Sequence, residues 1–109
     1  MSYKLTQVEA YVPTCYPDGE PIPARTRASV LDALAAVFGG VTVIPACEGR
    51  WVDPSTHTTV KEPIEIWRTL VHEYSPNWWG EWAKRLLVLF RQDTFLVTAV
   101  EVDVVEEVN

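Results

Sequence analysis

Glu9 and Glu65 are the strongest candidates for chemistry in this chain: two carboxylates in phase on separate β-like runs. Two close carboxylates in a partly dry site push one pKa upward, which suits a general acid. The same pair could grip a cationic ligand or an arginine from a partner. The competing account is two ordinary solvated glutamates. Of the two histidines, His57 sits in Thr56-His57-Thr58-Thr59 at a loop tip, and His72 precedes Glu73 just past a strand. Neither has a second His or Cys at ligand spacing, so no metal centre is expected. Cys15 and Cys47 share no short spacing and read as reduced thiols, not as a disulfide framework or zinc site. Arg25 and Arg27 fall in the first turn of a helix, where an anion would be favoured. Pairing with Asp18, Glu20 or Asp32 explains them more simply. There is no phosphate-binding glycine loop and no nucleophile elbow around a Ser or Cys.

The elements that must position these residues follow from apolar period. Lys4 to Val12 alternates as a strand, and Pro13-Thr14-Cys15-Tyr16-Pro17-Asp18-Gly19 ends it in a turn-rich loop. Ala24 to Phe38 carries Val30, Leu31, Leu34, Val37 and Phe38 at helical spacing, and Gly39-Gly40 supplies a left-handed stop. Val41 to Ile44 is a short strand, Pro45 to Thr59 an irregular connection, and Val60 to Val71 a third strand. Pro63 sits awkwardly in it, because proline lacks the amide a central strand needs; a bulge would resolve this. Ser75-Pro76 caps a second helix, Asn77 to Arg91, with Trp79, Trp82, Ala83, Leu86, Leu87 and Phe90 inward. Thr94 to Val105 is the last strand, and Glu106 to Asn109 is expected to fray.

The order βαββαβ predicts an α+β, ferredoxin-like sandwich. A four-stranded antiparallel sheet, order 4-1-3-2, would carry both helices on one face, as a single domain over residues 1–109. In this reading strands one and three run parallel. With 109 residues, 48% hydrophobic and 22% charged, the chain can bury one core. A net charge of −6, with nine scattered Lys and Arg, argues against nucleic-acid binding, which needs a basic patch. No apolar run reaches the roughly 20 residues that span a bilayer. The N-terminus lacks the apolar region of a signal peptide, so a cytoplasmic location is expected, with no cofactor.

Two helices cover one sheet face only. The alternation assigns Val8, Ala10, Val12, Ile64, Ile66, Leu96, Val100 and Val102 to the helix side. It assigns Leu5, Gln7, Glu9, Tyr11, Glu65, Trp67, Phe95 and Val97 to the open side. Tyr11, Trp67 and Phe95 would then cluster at one end of the open face, with Glu9 and Glu65 one step inward. An exposed aromatic patch of this kind predicts an interface, first of all a homodimer through the sheet face.

At Phe38-Gly39-Gly40-Val41-Thr42, Gly49-Arg50-Trp51, Glu62 and Gln92 the chain resembles a loose group of small uncharacterised proteins of bacteria and their phages. The resemblance spans Tyr11 to Val100. It implies a ferredoxin-like fold and a phage or mobile-element origin, and no activity. More distantly, the chain is similar to dimeric α+β barrel enzymes, among them cofactor-free and haem-degrading oxygenases. That resemblance implies a pocket with Trp67, His72 and Asn77 in comparable places; Gln7 stands where an Asn is expected. The function expected is therefore non-catalytic: an accessory protein engaging a protein or small ligand through Tyr11, Trp67, Phe95, Glu9 and Glu65, with inhibition of a host defence protein as a subcase. The alternative is an oxygenase-like enzyme.

Overall fold

The computed structural model describes residues 1–109. Its elements are β1 (Ser2–Pro13), α1 (Ala24–Phe38), β2 (Thr42–Val52), β3 (Thr59–Val71), α2 (Pro76–Leu89) and β4 (Val97–Val105). The sheet order is β2-β3-β1-β4 and every pairing is antiparallel. This is the ferredoxin-like α+β fold that the element order predicts. One expectation needs correction: β1 and β3 run antiparallel, Thr6 opposite Val71 and Pro13 opposite Ile64. Each helix returns the chain to the end where its preceding strand began. β2 therefore runs parallel to β1, and the hairpin turns β3 back against it.

The helix ends form where the residue types place them. Gly39 takes φ 90°, and its amide donates to the Ala35 carbonyl at 2.7 Å. Ser75 caps α2 by accepting from the Trp78 amide, with Pro76 at the first helical position. Beneath the helices lies one core of Val8, Ala10, Val12, Ile22, Leu34, Trp67, Val71, Trp79, Trp82, Leu86 and Phe90. Phe38, Trp78, Trp79, Trp82 and Phe95 form a chain of ring contacts with centroids 5.0–5.7 Å apart, which locks α1 to α2.

β2 does not end at Ile44. A bulge between Ile44 and Cys47, with Ala46 at φ 56°, lets it continue to Val52. Five residue pairs, Glu48 opposite Pro63 to Val52 opposite Thr59, therefore stand beyond the end of β1 as a two-stranded arm. This also settles Pro63. Its carbonyl accepts from the Thr14 amide on the side where β1 has already ended. The missing N–H of Pro63 points the same way, so it costs the ladder nothing. At the opposite end, Ser2 to Leu5 pair with Val102 to Val105 beyond the reach of β3. Two overhanging ribbons at opposite ends give extents of 51 × 30 × 27 Å and a radius of gyration of 15.4 Å. A rounded chain of this length would have about 13 Å.

Candidate functional site: the helix-free face of the sheet

Register fixes which side chains share a face, because directly opposed residues project the same way. Trp67 stands opposite Ala10, and Glu65 opposite Val12. Trp67 therefore points under the helices, where it is 1% exposed. Phe95 precedes β4 and packs edge-on against Trp82 on the same side. The predicted cluster of Tyr11, Trp67 and Phe95 does not form. Tyr11 alone of the three lies on the helix-free face, half-buried. The face assignment misplaced β3 and β4 by one residue each, and a one-residue slip sends every side chain of a strand to the other face.

Glu9 and Glu65 are separated for the same reason, on opposite faces of the sheet. Glu65 is held beneath α1, where Arg27 Nη1 reaches one carboxylate oxygen at 2.8 Å and Trp67 Nε1 donates to the other at 3.1 Å. This ties the first turn of α1 to the centre of β3. It also answers the anion question at Arg27: a carboxylate of the chain itself is its partner. Glu9 lies on the helix-free face and accepts two hydrogen bonds at one oxygen, from Arg68 Nε at 2.9 Å and Nη2 at 2.7 Å. Both carboxylates are thus engaged by arginine, and no carboxylate pair exists for acid–base work.

Trp67, His72 and Asn77 are likewise not gathered around a cavity. Trp67 is core, whereas His72 and Asn77 are exposed. An apolar cleft of about 270 Å³ beside α2 is lined by Tyr74, Pro76, Trp79, Phe95, Leu96 and their neighbours, and none of those three residues lines it. No three His, Cys, Asp or Glu side chains gather where they would hold a metal ion. No helix is long and apolar enough to cross a membrane.

The helix-free face has a different composition from the one expected. Register places Tyr3, Leu5, Gln7, Glu9 and Tyr11 there from β1, and Ile64, Ile66, Arg68 and Leu70 from β3. Thr98, Val100, Val102 and Val104 come from β4, and Ile44 from β2. Ile64, Ile66, Val100 and Val102, assigned to the helix side from the sequence, lie on the opposite one. Leu5 and Ile64 are buried yet stand outside the main core, one towards each end of this face. Leu70 is 39% and Val100 56% exposed. The charges go elsewhere: Lys4, Glu101 and Asp103 project to the helix side, where Lys4 Nζ meets Asp103 at 2.7 Å. Glu9 and Arg68 cancel each other, so the four-stranded part of this face is locally neutral on a chain of net charge −6.

The missed residues did leave a signal. Val100, Val102 and Val104 alternate with Glu101 and Asp103. The charged phase is the helix side, with Asp103 on the overhanging ribbon and Glu101 just before it, both exposed.

No protein-family model and no curated protein matches the chain. Among solved structures, the chain is similar to the divalent cation tolerance protein (Cut A1) from Thermus thermophilus. The TM-score is 0.59 at 12% identity, over 98% of this chain and 88% of that one. At that identity the likeness establishes the shared fold.

Proposed function

We propose that this is a non-catalytic binding protein whose working surface is the helix-free face of the sheet, and that a second copy of the chain is its first partner. The carrying observation is that face: Leu5, Ile66, Leu70, Val100 and Val102 surround Gln7, Thr98 and one charge pair, which is neutralised internally. Net charge repels copies of an acidic protein at a distance, but the four-stranded part of this face carries no unpaired charge. The area points the same way. The chain exposes 7454 Å² at 12.3 kDa, whereas a monomer of that mass exposes about 6,100 Å². The surplus of roughly 1,300 Å² exceeds the ~800 Å² per partner of a standard interface.

The name of the Thermus protein concerns divalent cations, but the grouping of ligating side chains in this chain gives no support to that chemistry, and the reading does not rest on it. The resemblance to proteins of bacteria and phages favours an accessory role, with capture of a host protein as one form of it. The test is sedimentation equilibrium of the native chain and of Val100→Lys over a range of concentrations. A native dimer that Val100→Lys converts to monomer supports the reading. A native chain that stays monomeric at high concentration ends the self-association part. If, in addition, Val100→Lys leaves capture of any partner unchanged, the surface assignment falls.

A further inference from the structure

The β2–β3 arm is the part of the chain least able to stand alone. Five residue pairs project beyond Pro13, with no third strand beside them. The arm closes on a tight tip: the Asp53 amide donates to the Thr58 carbonyl, and the Ser55 amide to the Asp53 carboxylate. A free two-stranded ribbon is marginal in water, and three strands or a packed face are needed for independent stability. Yet this ribbon carries a tryptophan: Trp51, 47% exposed, directly opposite Val60.

The side on which Trp51 lies is informative. Trp51 and Val60 share parity with Cys47 opposite Ile64, and with Ile66 and Leu70 further along β3. They therefore lie on the helix-free side, with Gly49 and the half-buried Glu62 between them and Ile64. The other side of the arm is Glu48, Arg50, Lys61 and Thr59, with the exposed Val52. The four-stranded part of the sheet offers a planar footprint of only about 500 Å², from ~4.8 Å per strand and ~3.3 Å per residue. That is short of the ~800 Å² per partner of a standard interface. The overhanging ribbons are where the remaining surface lies.

We infer that the arm is a clasp: Trp51 and Val60 pack on a second copy of the chain, extending the interface beyond the body of the sheet. The inference rests on the reading that the helix-free face meets a second copy. Copies related by a twofold axis each contribute one arm, so both Trp51 side chains are buried together or not at all. A large aromatic side chain is the residue type that most often dominates an interface energetically.

The experiment compares the dissociation constant of the full-length dimer for the native chain, Trp51→Ser, Trp51→Phe and Val52→Ser, with Val100→Lys alongside. Val52 is on the same arm and faces the other way, so it reports any general loosening of the ribbon. The clasp predicts that Trp51→Ser weakens self-association by at least about ten-fold. Trp51→Phe should recover most of this, and Val52→Ser should stay within about two-fold of native. Equal weakening by Trp51→Ser and Val52→Ser overturns the clasp, since the arm would then act only through its own folding. No weakening by Trp51→Ser, while Val100→Lys still separates the copies, also overturns it and leaves the proposed function standing. A native chain that never dimerises overturns both.

Discussion

Glu9 and Arg68 stand directly opposite each other on β1 and β3, joined by two hydrogen bonds to one carboxylate oxygen, in the otherwise uncharged four-stranded part of the helix-free face. In a lone chain this pair is part-exposed and contributes about 0.2–1 kcal/mol. Covered by a second copy, it becomes a desolvated pair, and removing one partner costs about 3–5 kcal/mol. Arg68→Ala is therefore expected to weaken self-association about 100-fold while changing the unfolding free energy of the dilute chain by less than about 1 kcal/mol. The doubly reversed chain, Glu9→Arg with Arg68→Glu, should regain most of the affinity. Equal and small effects in both assays would place the pair in open water.

Trp67 makes the opposite prediction. It is core, packed with Val8, Ala10 and Trp79, and it donates to Glu65. Trp67→Ala should destabilise the fold by about 3–5 kcal/mol in urea unfolding, through the cavity it leaves. A Trp67→Ala chain that folds normally and loses only partner binding would contradict its placement under the helices.

Gly39 holds φ 90°, and a Cβ there would touch nothing within 4 Å. The cost of Gly39→Ala is then backbone strain alone, about 1–2 kcal/mol. Gly40 has equal space around it and no positive φ. Gly40→Ala should be close to neutral, so a lower melting temperature for Gly39→Ala than for Gly40→Ala is the expected pair of results.

The Tyr3 phenol titrates above the ordinary tyrosine value of 10.0, first because desolvation disfavours its charged form and then because the negative charge of Glu106 lies near it. A raised phenol pKa favours the neutral form in the folded chain. Its contribution to stability is present below the unfolded value near 10 and is lost as pH rises through the folded one. Phenolate absorbance should show one of the four tyrosines titrating late. Glu106→Gln should bring that titration back toward 10, and no change in it would contradict that placement of Glu106.

The fold was legible in the sequence because its signals are local and redundant. Gly39-Gly40, Ser75-Pro76 and the helical stripes of Leu34 and of Trp79, Trp82 and Leu86 each allow one structure. The face of each strand was not, because it depends on register. Ile64, Glu65, Ile66 and Trp67 carry bulk on both sides of β3, so alternation alone cannot say which side faces the helices. The arm was hidden by Pro45 and Pro63. Both discourage an extended hairpin until a bulge and an ended neighbour strand are known to accommodate them. The partners of the two glutamates were unreadable for a related reason: Arg68 and Arg27 are 59 and 38 residues away in the chain.

Oxidative footprinting of side chains at low and high protein concentration tests the central claim most directly. Val88, 81% exposed on the outer side of α2, serves as the internal reference. Leu70, Val100 and Tyr11 should be labelled freely in dilute solution and become protected as concentration rises, while Val88 does not change. Labelling of those three residues that follows Val88 at every concentration would mean that the helix-free face stays in contact with water, contradicting the account.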